Sequence, residues 1–145
     1  MYSKGHALVA GAVGVPVALL APAPLQAAVA WAWVVALGVG IDADHFAIAR
    51  LNRDDWTNLR RVVADPRLAL AGQDAIFDPG DVWRDQRLLS HLVVGGVLAA
   101  GVWLLDPFWA LATGASVYTH AVADLVSDAR TRAEYVRESA SLVDR

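Results

Sequence analysis

The chain contains only four histidines, His6, His45, His91 and His120, and two of them stand beside aspartates, in Asp42-Ala43-Asp44-His45 and in His120-Ala121-Val122-Ala123-Asp124. Imidazole nitrogen and carboxylate oxygen suit Zn, Mn or Fe, whereas Cu(I) prefers sulfur. The sequence has no cysteine, which excludes a thiolate metal site, a Cys nucleophile and a structural disulfide. His120 and Asp124 are four residues apart, so a helix presents both on one face, and Thr113 and Ser116 extend that stripe. Gly38, Asp42 and His45 also share a face, and Gly38 admits a neighbouring helix closely. On a regular helix Asp44 points away from Asp42. Either the helix ends at Asp42, so that both acids turn inward, or one of the two supports a ligand instead of being one. Singly, these residues have plain explanations: His6 is an interfacial residue near Lys4, His91 bonds a backbone carbonyl, and His120 with Asp124 is an ion pair between helices. Whether they act together depends on the elements that carry them.

Those elements are written in the hydropathy. The 145 residues are 57% hydrophobic and 19% charged, with mean hydropathy +0.41 and net charge -3; a soluble domain is nearer 45 to 50% apolar and about 25% charged. A sequence pI near 5.7 lacks the basic footprint of a nucleic-acid binder, so no nucleic-acid partner is expected. Four candidate spans, about 7–24, 25–43, 88–105 and 107–125, are built on four apolar blocks almost free of charge, 7–24, 25–41, 88–105 and 107–123. Each is about 17 or 18 residues, roughly 26 Å as a helix, at the short end of what a bilayer core requires. Trp31, Trp33, Trp103 and Trp109 are placed to help at the interfaces. A very apolar soluble bundle has the same blocks. A secretory signal explains Lys4 and the apolar run to Leu20 but leaves three further blocks.

Charge sorting favours the membrane. All 12 Lys and Arg residues lie before the first block, between the second and third, or after the fourth. The two short turns, Ala21-Pro22-Ala23-Pro24 and Leu105-Asp106-Pro107, carry no cation. The positive-inside tendency therefore puts both termini and the connector, 46–87, on the cytoplasmic side. In that connector Asp54 is positioned to cap a helix with Trp56, Leu59, Val62 and Val63 at helical spacing, followed by a short helix over Leu68 to Ala71; this piece reads as amphipathic, lying on the membrane or packing on the bundle. The tail, 128–145, reads as a helix with Arg130 four residues before Glu134. The predicted fold class is all-α: a polytopic membrane protein of the inner or plasma membrane, one domain, a four-transmembrane-helix bundle with a partly helical cytoplasmic connector and a C-terminal helix. Its oligomeric state is left open.

That topology brings all four histidines, with Asp42, Asp44 and Asp124, to one face, and leaves only Asp106 at the other. Ionisable groups at such depth cost about 2.5 to 3.5 kcal/mol each at a helix centre, less near an interface, so a fold keeps them where they pair, bind an ion or meet water. The expected metal site is His6, Asp42, Asp44, His45, His91, His120 and Asp124, enough for one divalent ion, Zn first and Mn or Fe next, or for two about 3.5 to 4 Å apart. Such an ion brings the pKa of bound water from about 15.7 towards 7 and polarises a scissile group. Asp44 is the expected general base, and Arg87, one turn before His91, is placed either to clamp a substrate anion or to anchor the chain at the interface. The alternative is a non-enzymatic membrane protein whose cluster holds a structural ion or relays protons while the connector docks a partner. A third reading is a hydrogen-bonded polar core without metal.

The order of motifs resembles the membrane-bound metal-dependent hydrolase family. Its pattern is an early His opening the first span, Pro-Asp-x-Asp-His after the second, His-Arg-x-x-Thr-His-Ser opening the third and His-x-x-x-Asp late in the fourth. This sequence has His6, then Ile41-Asp42-Ala43-Asp44-His45, then Gln86-Arg87-Leu88-Leu89-Ser90-His91-Leu92, then His120 to Asp124. Gln86 stands where the family has His, Ile41 for Pro, Ser90 for Thr and Leu92 for Ser. The resemblance implies hydrolysis with a lipid-linked or other phosphoester substrate met at the cytoplasmic interface of the bilayer.

Overall fold

The structure, a computed structural model, describes residues 3–71 and 75–143, and it is all-helical, with no strand among those residues. Helix α1 (Ser3–Leu19) and α2 (Pro24–Gly40) form an antiparallel pair, as do α6 (Arg84–Trp103) and α7 (Pro107–Arg130). Between the pairs lie α3 (His45–Arg53), α4 (Thr57–Ala64) and α5 (Leu68–Ala71); α8 (Arg132–Val143) closes the described chain. The last two residues of the tail, 144–145, and residues 72–74 of the connector lie outside the described residues.

The helix ends follow the proline and aspartate signals. Pro24 starts α2 instead of ending the first block, the position where a missing N–H costs nothing. Asp106 caps α7, its side chain accepting from the backbone N–H groups of Phe108 and Trp109 at 2.8 and 3.2 Å, with Pro107 next. In the connector the capping residue differs from expectation. Asp54 is the left-handed residue that ends α3, at φ 63°, with Arg50 on its carboxylate. Asp55 serves the next helix, accepting from the Thr57 backbone N–H at 2.7 Å, and that bond holds its carboxyl below the usual carboxylate range. In the tail, Thr131 ends α7, so Arg130 and Glu134 fall on different helices and the expected i, i+4 pair does not arise.

The four long helices meet through small or hydroxylated residues. A Cβ on Gly38 would lie 2.5 Å from that of Ala10, and one on Gly95 would overlap Val117, so both glycines set how closely α1 meets α2 and α6 meets α7. Helix α7 docks on α2 by side-chain bonds: Ser116 Oγ donates to the Val34 carbonyl at 2.8 Å and Trp33 Nε1 donates to Thr113 Oγ1 at 3.0 Å. The stripe read from the sequence, Thr113, Ser116, His120 and Asp124, is buried. The apolar core around it is thin, made of Ala10, Val17, Ala30, Val34 and Ala112. Large apolar residues instead face outward, Leu8 at 78% and Val97 at 68% exposed among them. Among the described residues one helical run, 24–53, is long and apolar enough to cross a membrane by length and composition, and α1 is a shorter apolar helix.

Candidate metal centre

All four histidines are buried, each at 3% exposure or less, at the end of the bundle where α1 and α6 begin and α2 and α7 end. The feature that brings the two acids of the second motif together is the 3-10 turn Ile41–Asp44 between α2 and α3. At about 100° per residue an α-helix separates residues two apart by about 160°; at three residues per turn the separation falls to about 120°. Asp42 and Asp44 can then both reach inward. The same turn aligns Asp42 with His45, three residues on, and their side chains approach to 3.5 Å.

Two kinds of distance coexist in the site. Nδ1 of His91 lies 2.8 Å from Asp44 Oδ2, and Nδ1 of His120 lies 2.8 Å from the Gly38 carbonyl. A carbonyl only accepts, so His120 carries its proton on Nδ1; a carboxylate assigns His91 the same tautomer. Gly38 is among the last residues of α2, where carbonyls lose their intrahelical partners, and His120 supplies one. Each neutral ring therefore presents a bare Nε2 lone pair. Those two Nε2 atoms face each other at 3.2 Å, an arrangement that needs a cation or a proton between them.

Most of the remaining approaches are longer than good hydrogen bonds. Asp42 Oδ1 is 3.5, 3.4 and 3.3 Å from Nε2 of His45, His91 and His120. Asp124 Oδ1 is 3.2 Å from His6 Nε2, and its Oδ2 is 3.5 and 3.7 Å from Nε2 of His120 and His91. Hydrogen bonds between N–H and O centre near 2.9 to 3.0 Å. Ligands held about 2.0 to 2.1 Å from a tetrahedral ion are instead about 3.3 to 3.4 Å from one another. Both Asp42 oxygens, Asp44 Oδ1, His45 Nε2 and both His6 nitrogens are buried without a hydrogen bond, a state that costs free energy unless something else satisfies them. The donor set fits a divalent ion of the zinc type.

Two ligand groups emerge, His6, Asp42, His120 and Asp124, and Asp42, His45 and His91, with Asp42 common to both. The imidazoles are packed as two stacked pairs, His6 on His120 at 3.8 Å and His45 on His91 at 5.1 Å between centroids, joined edge-on through His91 and His120. Of the seven residues expected from the sequence, six supply converging ligand atoms, and Asp44 orients His91 from behind. Arg87 lies beside the centre, with Nε 3.3 Å from Asp124 Oδ2 and NH2 2.7 Å from both oxygens of Asp128.

Gln86 pairs with Asn52, donating to its carbonyl at 3.1 Å and accepting from its amide at 2.7 Å, and neither ligand group includes it. Two neighbours are absent from the site read in the sequence. Phe77 packs edge-on against His45 at 5.9 Å, on a loop clasped by the buried Asp81, which takes Arg53 at 3.0 Å and Asn58 at 2.7 Å. Asp128, four residues past Asp124, could have been found by spacing alone. No family model, curated protein or solved structure matches this chain.

Proposed function

We propose that the protein is a membrane-embedded metal-dependent hydrolase acting on a phosphoester or lipid-linked substrate at the cytoplasmic interface. The observation that carries the metal is the opposed pair of Nε2 atoms on His91 and His120, each ring donating through Nδ1, with Asp42 and Asp124 around them. His6, Asp42, His120 and Asp124, with His45 and His91 on the other side of Asp42, would hold the ion. A divalent cation supplies Lewis-acid activation of water and of the scissile bond.

The chain's own residues supply the rest. Asp44 fixes the His91 tautomer, so that Nε2 stays the ligating atom. Its other oxygen, Oδ1, has no hydrogen bond and is the acceptor available to take a proton from water. The outward apolar residues of the four long helices, set against buried His, Asp, Thr and Ser, support a lipid exterior and a four-span bundle; positive-inside sorting then puts both termini in the cytoplasm.

The test is turnover by purified protein stripped of metal and reloaded with Zn, Mn or Fe, assayed on chromogenic phosphomonoesters and phosphodiesters and on phospholipid in mixed micelles. Hydrolysis of at least one, lost in Asp42→Asn, is expected. Stoichiometric metal with no turnover on any of them contradicts the enzyme and favours a structural ion.

A further inference from the structure

Arg87 and Asp128 form a feature that the ligand set does not absorb. We infer that Arg87 is a positioning residue for the cation centre, held by Asp128 and holding Asp124, and is not the clamp for a substrate anion. The inference rests on the cation reading above.

The geometry is a ladder between α6 and α7. Arg84, Arg87 and His91 rise along α6 at spacings of three and four, and Asp128, Asp124 and His120 descend along α7 at spacings of four. Arg84 Nε approaches Asp128 at 3.5 Å while its NH1 donates to the Asp128 carbonyl at 2.9 Å and its NH2 to Thr131 Oγ1 at 2.7 Å; its guanidinium lies 4.2 Å from the Tyr135 ring. Asp128, fixed in this way, receives Arg87 NH2 on both oxygens at 2.7 Å. Arg87 Nε is then directed at Asp124 Oδ2 at 3.3 Å, and Asp124 Oδ1 faces His6.

Three consequences follow from charge and shape. A ligating carboxylate has two oxygens, and a guanidinium fixed on one side of Oδ2 decides how the group is turned towards its histidines. Arginine brings a rigid planar fork that serves two carboxylates at once; lysine is a point charge on a flexible stem. Asp42, Asp44 and Asp124 converge in one small volume, and Arg87 is a permanent positive charge in contact with one of them, which lowers their mutual repulsion before any ion arrives. A bidentate grip on an anion, by either edge of the guanidinium, needs NH2, which is already committed to Asp128 at 2.7 Å in a side chain that is 13% exposed. A substrate anion is therefore not clamped bidentately by Arg87.

Cobalt(II) tests this, because its visible d–d bands report ligand geometry and its affinity can be measured by chelator competition, both without turnover. With full-length protein, Arg87→Gln is expected to weaken Co(II) binding about 10- to 100-fold and to change the band shape. Arg87→Lys should not restore the wild-type spectrum. Asp128→Ala, outside the ligand set, should weaken binding in the same direction by a smaller factor and serves as the readout if Arg87→Gln does not fold. Unchanged affinity and spectrum in the folded variants, with inorganic phosphate perturbing the wild-type bands but not those of Arg87→Gln, would overturn the inference and make Arg87 the anion clamp. Wild-type protein that takes up no cobalt would instead bring down the cation reading itself.

Discussion

Asp42 and Asp44 are two residues apart, have the same side chain and do different work. Asp42 belongs to both ligand groups, and Asp44 grips the far nitrogen of a ligand. Substitutions should separate them. Asp44→Asn keeps the ring in place but weakens the carboxylate behind it, and should reduce zinc affinity about 10- to 100-fold by competition titration. Asp42→Asn should cost more, because it removes the charge that both groups share. The double change His120→Ala with Asp124→Ala should strip most of the metal from purified protein, read by elemental analysis. At this scale the sequence showed much of the site. The His/Asp residues were identifiable from scarcity and spacing, and the i, i+4 stripe of α7 is buried as read. That one of Asp42 and Asp44 supports a ligand was one of two alternatives open in the sequence; the choice between them depends on a turn type that two aspartates beside an alanine do not specify. Asp128 went unremarked because it looked like the first residue of a polar tail.

The helices decide how closely those residues approach. Gly95 illustrates the dependence: a Cβ there would overlap Val117 on α7, four residues along α6 from His91 and three along α7 from His120. Gly95→Ala should therefore destabilise the fold by about 1 to 3 kcal/mol, seen as a lower melting temperature in detergent, and should loosen metal binding by parting α6 from α7. Adding Val117→Ala should recover much of both losses; failure to recover either would mean that the contact is not what sets the spacing. Asp106→Ala is the control from the far end. Loss of its cap on α7 should cost about 0.5 to 2 kcal/mol in stability while metal affinity stays as it was. Element identity was legible from apolar blocks and Pro-containing turns. The ends were less so: Asp54 and Asp55 both look like caps, and only the left-handed backbone at Asp54 assigns the role to Asp55.

Across the four long helices polarity is inverted, with His6, His91, His120, Asp124, Thr113 and Ser116 buried and many leucines, valines and tryptophans exposed. One run, 24–53, is long and apolar enough to cross a bilayer by length and composition, and a four-span arrangement follows only if α1, α6 and α7 cross beside it. The absence of cysteine makes the test clean. Leu51→Cys and Leu105→Cys place single thiols at two highly exposed positions, one in the cation-rich connector and one in the cation-free turn. In intact cells an impermeant thiol reagent should label Leu105→Cys and spare Leu51→Cys; equal labelling of both would refute the proposed topology. The proposed arrangement rests on charge sorting in the sequence, since a membrane acts on where Lys and Arg are placed and not on side-chain detail.

The central claim is that the buried histidines and aspartates hold a divalent cation. Anomalous diffraction from crystals of protein purified without chelator, collected on both sides of the zinc, manganese and iron edges, tests it most directly. A peak is expected among His6, Asp42, His120 and Asp124 that names the element, with ligand distances near 2.0 to 2.2 Å. Electron density with no anomalous peak there, and His91 and His120 joined Nε2 to Nε2 by a proton, would contradict it.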